Sequence, residues 1–180
     1  MNARLRSIFF TASLITAAFS AVTYTSCSEE KCKPVVCANG STCVDGACIC
    51  PSGYEGARCE TTNRERFLGV WSVEEDGSVS AKAAYTVSIE RGTGITDVRI
   101  RNFNNLISED VNARVKGDTI YIDPQTFNTN TVRGIGYITD SKFYGVNGRL
   151  VMRYRVEKAN GQIDNFGFDP STTNYSLWDK

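Results

Sequence analysis

Seven cysteines, Cys27, Cys32, Cys37, Cys43, Cys48, Cys50 and Cys59, are the residues of this 180-residue chain whose type and spacing carry the most chemistry. All fall in one short stretch, and the two thirds of the chain beyond Cys59 contain none. Closely spaced cysteines behind an apolar N-terminus read as a disulfide framework made in an oxidising compartment. Histidine is absent throughout, which removes the commonest zinc ligand and the usual proton shuttle at neutral pH. That weighs against many hydrolase mechanisms, and the chain is expected not to be an enzyme. Six cysteines pair evenly, so the seventh, Cys27, needs its own account.

The other groups able to do chemistry are acids, arginines and glycine pairs. Glu74-Glu75-Asp76, Glu109-Asp110 and Asp164 stand where loops are expected, and a glycosidase needs two carboxylates about 5–10 Å apart. Solvated loop charge is the plainer reading. Gly92-Thr93-Gly94 and Gly134-Ile135-Gly136 lack the longer glycine pattern and following helix of a phosphate loop, so turns or bulges suffice for both. Arg99, Arg101, Arg114, Lys116, Arg153 and Arg155 fall on the polar faces of expected strands. They read as a solvated, charge-dotted sheet face, with binding of an anionic glycan as the second reading. Basic and acidic residues balance at twenty each, and removal of residues 1–26 takes Arg4 and Arg6, leaving eighteen against twenty, a charge of −2. No nucleic-acid partner is expected.

Residues 1–26 carry Arg4 and Arg6 and then an uncharged segment with an apolar middle, the outline of an export signal. Thr25-Ser26-Cys27-Ser28-Glu29-Glu30 resembles a bacterial lipoprotein signal, of the relaxed kind found in surface-exposed lipoproteins of the Bacteroidota. The family usually has leucine three residues before the cysteine, where this chain has Tyr24. The resemblance implies that Cys27 receives lipid, becomes the mature N-terminus and anchors residues 27–31 as a short tether in the outer membrane, at the cell surface. Two other readings stay open: cleavage after Ser20 with a free Cys27, and an uncleaved anchor.

Between the remaining cysteines lie four, five, four, one and eight residues. This spacing, with Asn39-Gly40-Ser41-Thr42-Cys43 and the run from Cys48-Ile49-Cys50-Pro51 to Gly56-Ala57-Arg58-Cys59, resembles an epidermal-growth-factor-like (EGF-like) module over residues 32–60. About 30 residues cannot bury enough apolar surface to fold unaided, so cross-links must restrict the unfolded chain. Sequence alone does not choose among the pairings of six cysteines. The resemblance implies Cys32 with Cys43, Cys37 with Cys48, and Cys50 with Cys59. Asp45-Gly46 supplies a two-residue turn that suits a hairpin with Cys43 and Cys48 on facing strands. The acidic and amide pattern of calcium-binding members is missing before Cys32 and around Asp45, so neither calcium nor another cofactor is expected. The module reads equally as a rigid spacer and as a binding unit.

After a linker at residues 61–63, residues 64–180 show period-two patterning and are expected to form an antiparallel β domain. Tyr85, Val87 and Ile89 alternate with polar residues, as do Leu150, Met152, Tyr154 and Val156. A turn at Gly117-Asp118 sets Val115 opposite Ile120 and Ala113 opposite Ile122, all on one apolar face. Asn147-Gly148 and Asn160-Gly161 mark two more turns. With strands near residues 69–74, 96–103 and 131–139, about seven to nine strands result, enough for a barrel or a β-sandwich. Phe67-Leu68-Gly69-Val70-Trp71 resembles the Gly-x-Trp opening of lipocalin-like barrels, which implies structural roles for Gly69 and a buried Trp71. The expected function is non-enzymatic binding or display toward an extracellular protein or glycan. The alternative is a carrier of a small apolar ligand inside a barrel.

Overall fold

Asp45 and Gly46 both take left-handed backbone (φ 52° and 87°), the conformation that turns a chain in two residues with the twist of a β-hairpin. They join β1 (Thr42–Val44) to β2 (Ala47–Ile49), with Cys43 facing Cys48 across the pair. The structure is a computed structural model and describes residues 31–143 and 147–180; Cys27 and the export segment lie outside the described residues. The chain divides into two units between Glu60 and Thr61.

In the first unit the disulfides are Cys32–Cys43, Cys37–Cys48 and Cys50–Cys59, the three pairs that fit an EGF-like module. Within residues 31–60 only Gly53 and Cys59 are buried, while Val36, Val44 and Ile49 are exposed. Apolar burial therefore holds little of this unit, and the cross-links carry the burden. Backbone bonds add to them: Ala38 N–H donates to Arg58 O at 2.8 Å, and Asn39 Nδ2 donates to Cys59 O at 2.7 Å.

The second unit contains β3 (Gly69–Asp76), β4 (Ala83–Arg91), β5 (Asp97–Arg101), β6 (Val111–Lys116) and β7 (Thr119–Phe127). It continues with β8 (Asn130–Phe143), β9 (Asn147–Glu157), β10 (Ile163–Phe166) and β11 (Tyr175–Asp179). Each strand from β3 to β9 pairs antiparallel with the next, β9 pairs with β11, and β11 returns to β3. Eight antiparallel strands thus close a barrel, and the sandwich alternative is not formed. β10 lies on the same edge of β9 as β11: it pairs at residues 155–157, and β11 at residues 149–152.

Val115 faces Ile120 as the turn chemistry requires, but the β6–β7 ladder stops at Arg114–Tyr121, so Ala113 and Ile122 are buried without being paired with each other; Ala113 pairs with Val98 and Ile122 with Gly134. There the Gln125 side chain takes over, accepting from Asn112 N–H at 2.9 Å and donating to Asn112 O at 2.6 Å. Asn160-Gly161 does turn β9 into β10, with Gly161 at φ 79° and Lys158 N–H bonded to Gln162 O. Asn147-Gly148 instead begins β9, and the residues before it lie outside the described ones.

Side chains fill the interior. Phe67, Trp71, Phe103, Tyr154, Phe166 and Trp178 are all fully buried, with Phe103 edge-on to Tyr154 at 4.6 Å and Phe166 stacked on Tyr154 at 4.4 Å. Gly134 and Gly136 sit inside β8, where a Cβ would come within 2.5 Å of Tyr154 Cβ and 2.2 Å of Met152 Sδ. Large residues on β9 have taken the space that side chains on β8 would need.

At one end Trp71 donates from Nε1 to Phe67 O at 2.7 Å, and Lys180 Nζ lies 4.8 Å from the centre of its ring. Gly69 has φ 116° beside the Lys180 side chain, a conformation that favours glycine. Arg64 Nη1 donates to the carbonyls of Gly92, Gly94 and Asp97, tying down the β4–β5 turn. At the other end the short turn Phe103–Asn105 carries Phe103 inward, with Asn102, Asn104 and Asn105 all left-handed, which asparagine tolerates better than most residues.

Candidate functional site

Two constellations in the barrel unit stand out from its packing. The first is built on Glu75, whose place in β3 follows from simple alternation: Trp71, Val73 and Glu75 share the inward face. Glu75 is 2 % exposed. Its carboxylate accepts four hydrogen bonds, from Tyr154 Oη at 2.7 Å, Tyr85 Oη at 2.8 Å, Ser176 Oγ at 2.9 Å and Asn104 Nδ2 at 3.2 Å. Asn104 Nδ2 also donates to Tyr154 Oη at 2.8 Å, and Trp178 Nε1 donates to Ser176 Oγ at 2.9 Å. Burial raises the Glu75 pKa, opposed by the hydrogen bonds from Tyr154, Tyr85, Ser176 and Asn104. Burial, together with the neighbouring carboxylate, raises both tyrosines as well. Every acceptor position is taken by a protein donor, so the cluster fixes β3, β4, β9, β11 and the Phe103–Asn105 turn against one another.

The expected loop acids therefore separate. Glu75 and Asp164 are buried, and Asp164 accepts the backbone N–H groups of Val79 and Ser80 at 2.9 and 3.1 Å. Glu74 accepts from Tyr175 Oη, Glu109 from Ser108, and Asp110 pairs with Arg99 and Arg101. Among the described residues no group of three or more acids and cysteines is placed to hold a metal ion.

The second constellation is on the outside. The expected basic face splits in two. Arg99 and Arg101 share Glu90 and Asp110 at 3.3–3.8 Å, and Arg114 pairs with Asp123 at 2.7 Å. Of these, Arg99, Arg114 and Asp123 line a groove of about 440 Å3 beside Asp97, Asn112 and Gln125. Arg153 and Arg155 lie on β9, where the register sets Arg155 directly opposite Arg133 and Arg153 opposite Ile135 of β8. Arg133 Cζ is 5.2 Å and Arg155 Cζ 5.8 Å from the centre of the Phe168 ring, and Arg153 Cζ is 5.4 Å from that of Tyr137. Such guanidinium–ring contacts hold the side chains in place.

No family model matches this chain, and no curated protein does. Its own geometry must carry the reading. Arg133 and Tyr137 escaped the sequence reading because Gly134 and Gly136 interrupt the apolar face of β8 and conceal its alternation. A search for the residues between those glycines and the flanking Val132 and Ile138 would have found both, whereas Phe168 lies in the segment after β10 and no local pattern marks it.

Proposed function

We propose that this chain is a non-enzymatic surface lipoprotein that binds or displays through its exterior, with Cys27 lipidated and the EGF-like unit placed between the lipid and the barrel. The observation that carries this reading is the filled interior: Trp71, Trp178, Tyr154, Phe67, Phe103 and Phe166 occupy the space that an internal ligand would need. Three disulfides favour an oxidising compartment. The odd cysteine at the end of an export-like segment favours the anchor. A membrane is thus the first partner, and an extracellular protein or glycan the second.

A carrier in the lipocalin manner is the other reading, favoured by the eight-stranded closure and by Gly69-Val70-Trp71 at the start of the first barrel strand. Native mass spectrometry of the full chain purified from its host separates the two. The binding reading expects the mass of the protein with its lipid alone; a further apolar ligand retained by the barrel would favour the carrier. Fatty-acid labelling tests the anchor: label should enter the wild type and not Cys27→Ser, which should leave the membrane fraction. An unlabelled wild type would refute lipidation.

A further inference from the structure

We infer that the outer face of β8 and β9, with the 167–175 segment beside it, is a binding site for an acidic glycan. The inference rests on the exterior-binding reading and names its ligand. Arg133 and Arg155 are direct cross-strand neighbours, an arrangement that destabilises a sheet when both members carry the same charge. Elsewhere on the barrel the pattern is different: Arg91, Arg99, Arg101, Arg114 and Arg149 each have a carboxylate partner. Among the described residues no carboxylate lies within ion-pair distance of Arg133 or Arg153, and Arg155 has only Glu157, at 3.7 Å. The Nε atoms of Arg133 and Arg155, like those of Arg64 and Arg99, are buried without a hydrogen-bond partner. Three guanidinium groups are thus gathered, immobilised on aromatic rings and left short of negative charge. A carboxylate or sulfate placed among them would relieve the repulsion and accept paired hydrogen bonds from the planar forks.

The space beside Arg153 specifies more than an anion. Where the β9 edge passes from β11 to β10, a groove of about 190 Å3 opens, lined by Arg153, Pro170, Thr172, Asn174 and Tyr175 among others. The Asn174 side chain makes no hydrogen bond to a described residue, which leaves its amide free to bind hydroxyls. Pro170 and Val151 offer apolar surface, and Lys82 Nζ sits 5.7 Å from the Tyr175 ring centre, adding a fourth cation. The neighbouring carboxylates are held by neutral donors and not by these arginines: Glu74 accepts from Tyr175 Oη, and Asp169 from Ser171 N–H. A ring with several hydroxyls and one negative group fits this mixture of amide, apolar wall and guanidinium. A nucleic acid does not, since its capture relies on many phosphate contacts and this chain has no net positive charge.

The test is calorimetric titration of the full-length Cys27→Ser chain, at physiological salt, with oligogalacturonate, chondroitin sulfate, neutral dextran, polyglutamate and single-stranded DNA. Binding to one or both acidic glycans is expected, with no response to dextran and weaker responses to polyglutamate and DNA. Arg133→Gln and Arg153→Gln should each weaken glycan binding about tenfold or more, while Arg114→Gln, in the other groove, should leave it unchanged. Circular dichroism of each variant should match the wild type; Arg153→Lys, which keeps charge but not the fork, should bind with intermediate strength. Absence of binding to both acidic glycans, equal binding to polyglutamate or DNA, or full affinity in Arg133→Gln and Arg153→Gln would each overturn the inference. Failure of the underlying reading would look different: an apolar ligand retained in native mass spectrometry.

Discussion

Tyr154→Phe removes one oxygen atom and leaves the ring stacked on Phe166 and edge-on to Phe103. That oxygen donates to Glu75 Oε2 at 2.7 Å and accepts from Asn104 Nδ2 at 2.8 Å. A hydrogen bond to a charged group contributes about 1.5–3 kcal/mol. In a unit of this size that corresponds to a fall in melting temperature of roughly 5–15 °C. The pH dependence makes the test specific. Burial raises the Glu75 pKa, so as pH climbs the unfolded carboxyl ionises first, near about 4.3, while the folded one keeps its proton. Through that window the fold binds more protons than the unfolded chain and loses stability as pH rises, until Glu75 itself ionises. Loss of the Tyr154 hydroxyl removes a group that lowers this pKa, which widens the window upward. The variant should therefore trail the wild type by more at pH 7.5 than at pH 4.5. Urea denaturation followed by the fluorescence of Trp71 and Trp178 measures both differences. Equal losses at the two pH values, or a loss below about 0.5 kcal/mol at pH 7.5, would refute the claim that a buried carboxylate organises this end of the barrel.

Trp71→Ala should lower barrel stability by about 3–5 kcal/mol through cavity formation; in a Trp178→Phe background, native emission characteristic of a water-exposed indole would contradict its burial. Cys50→Ser should cost the first unit about 2–5 kcal/mol and open it to limited proteolysis, while the near-ultraviolet dichroism of the barrel is unchanged. Loss of the barrel signal would show that the two units unfold as one. Gly136→Ala forces a Cβ against Met152 Sδ and Ile120 Cγ2 and should destabilise by about 1–3 kcal/mol; a neutral effect in thermal melts would show that Met152 has another rotamer to adopt.

The disulfide unit and the barrel strands were legible because both leave local marks. Cysteine intervals and Asp45-Gly46 mark out the first unit, whose pairing came from its resemblance to EGF-like modules, and two-residue alternation through Val87, Ile89, Met152 and Tyr154 defines the walls of the second. Glu75 was misread as a loop acid because polarity was weighed before register: one further step of the Trp71–Val73 alternation places it inside. Its four donors come from four other segments of the chain, and nothing local announces their convergence. The Arg133–Arg155 pairing was hidden for a related reason. Only the β8–β9 register brings these two residues together, and the glycines that mark β8 read first as turns or bulges. Gln125 standing in for a backbone partner of Asn112 likewise depends on where the β6–β7 ladder stops.

β11 pairs on one side with β3 and on the other with β9, and its contacts with β3 span about a hundred residues of chain, as in Ser176 with Glu75. Until residues 175–179 are in place, β3 has one unsatisfied edge and β9 is open along residues 149–152. Loop-closure entropy must be met before that last strand is rewarded, so the barrel belongs among slow-folding, high-contact-order topologies. A cell making this chain would therefore handle a polypeptide with two exposed strand edges, one of them bearing Trp71 and Val73, which is the kind of surface that aggregates or recruits chaperones. Truncation before Tyr175 would make that transient condition permanent, reopening both edges in a single step.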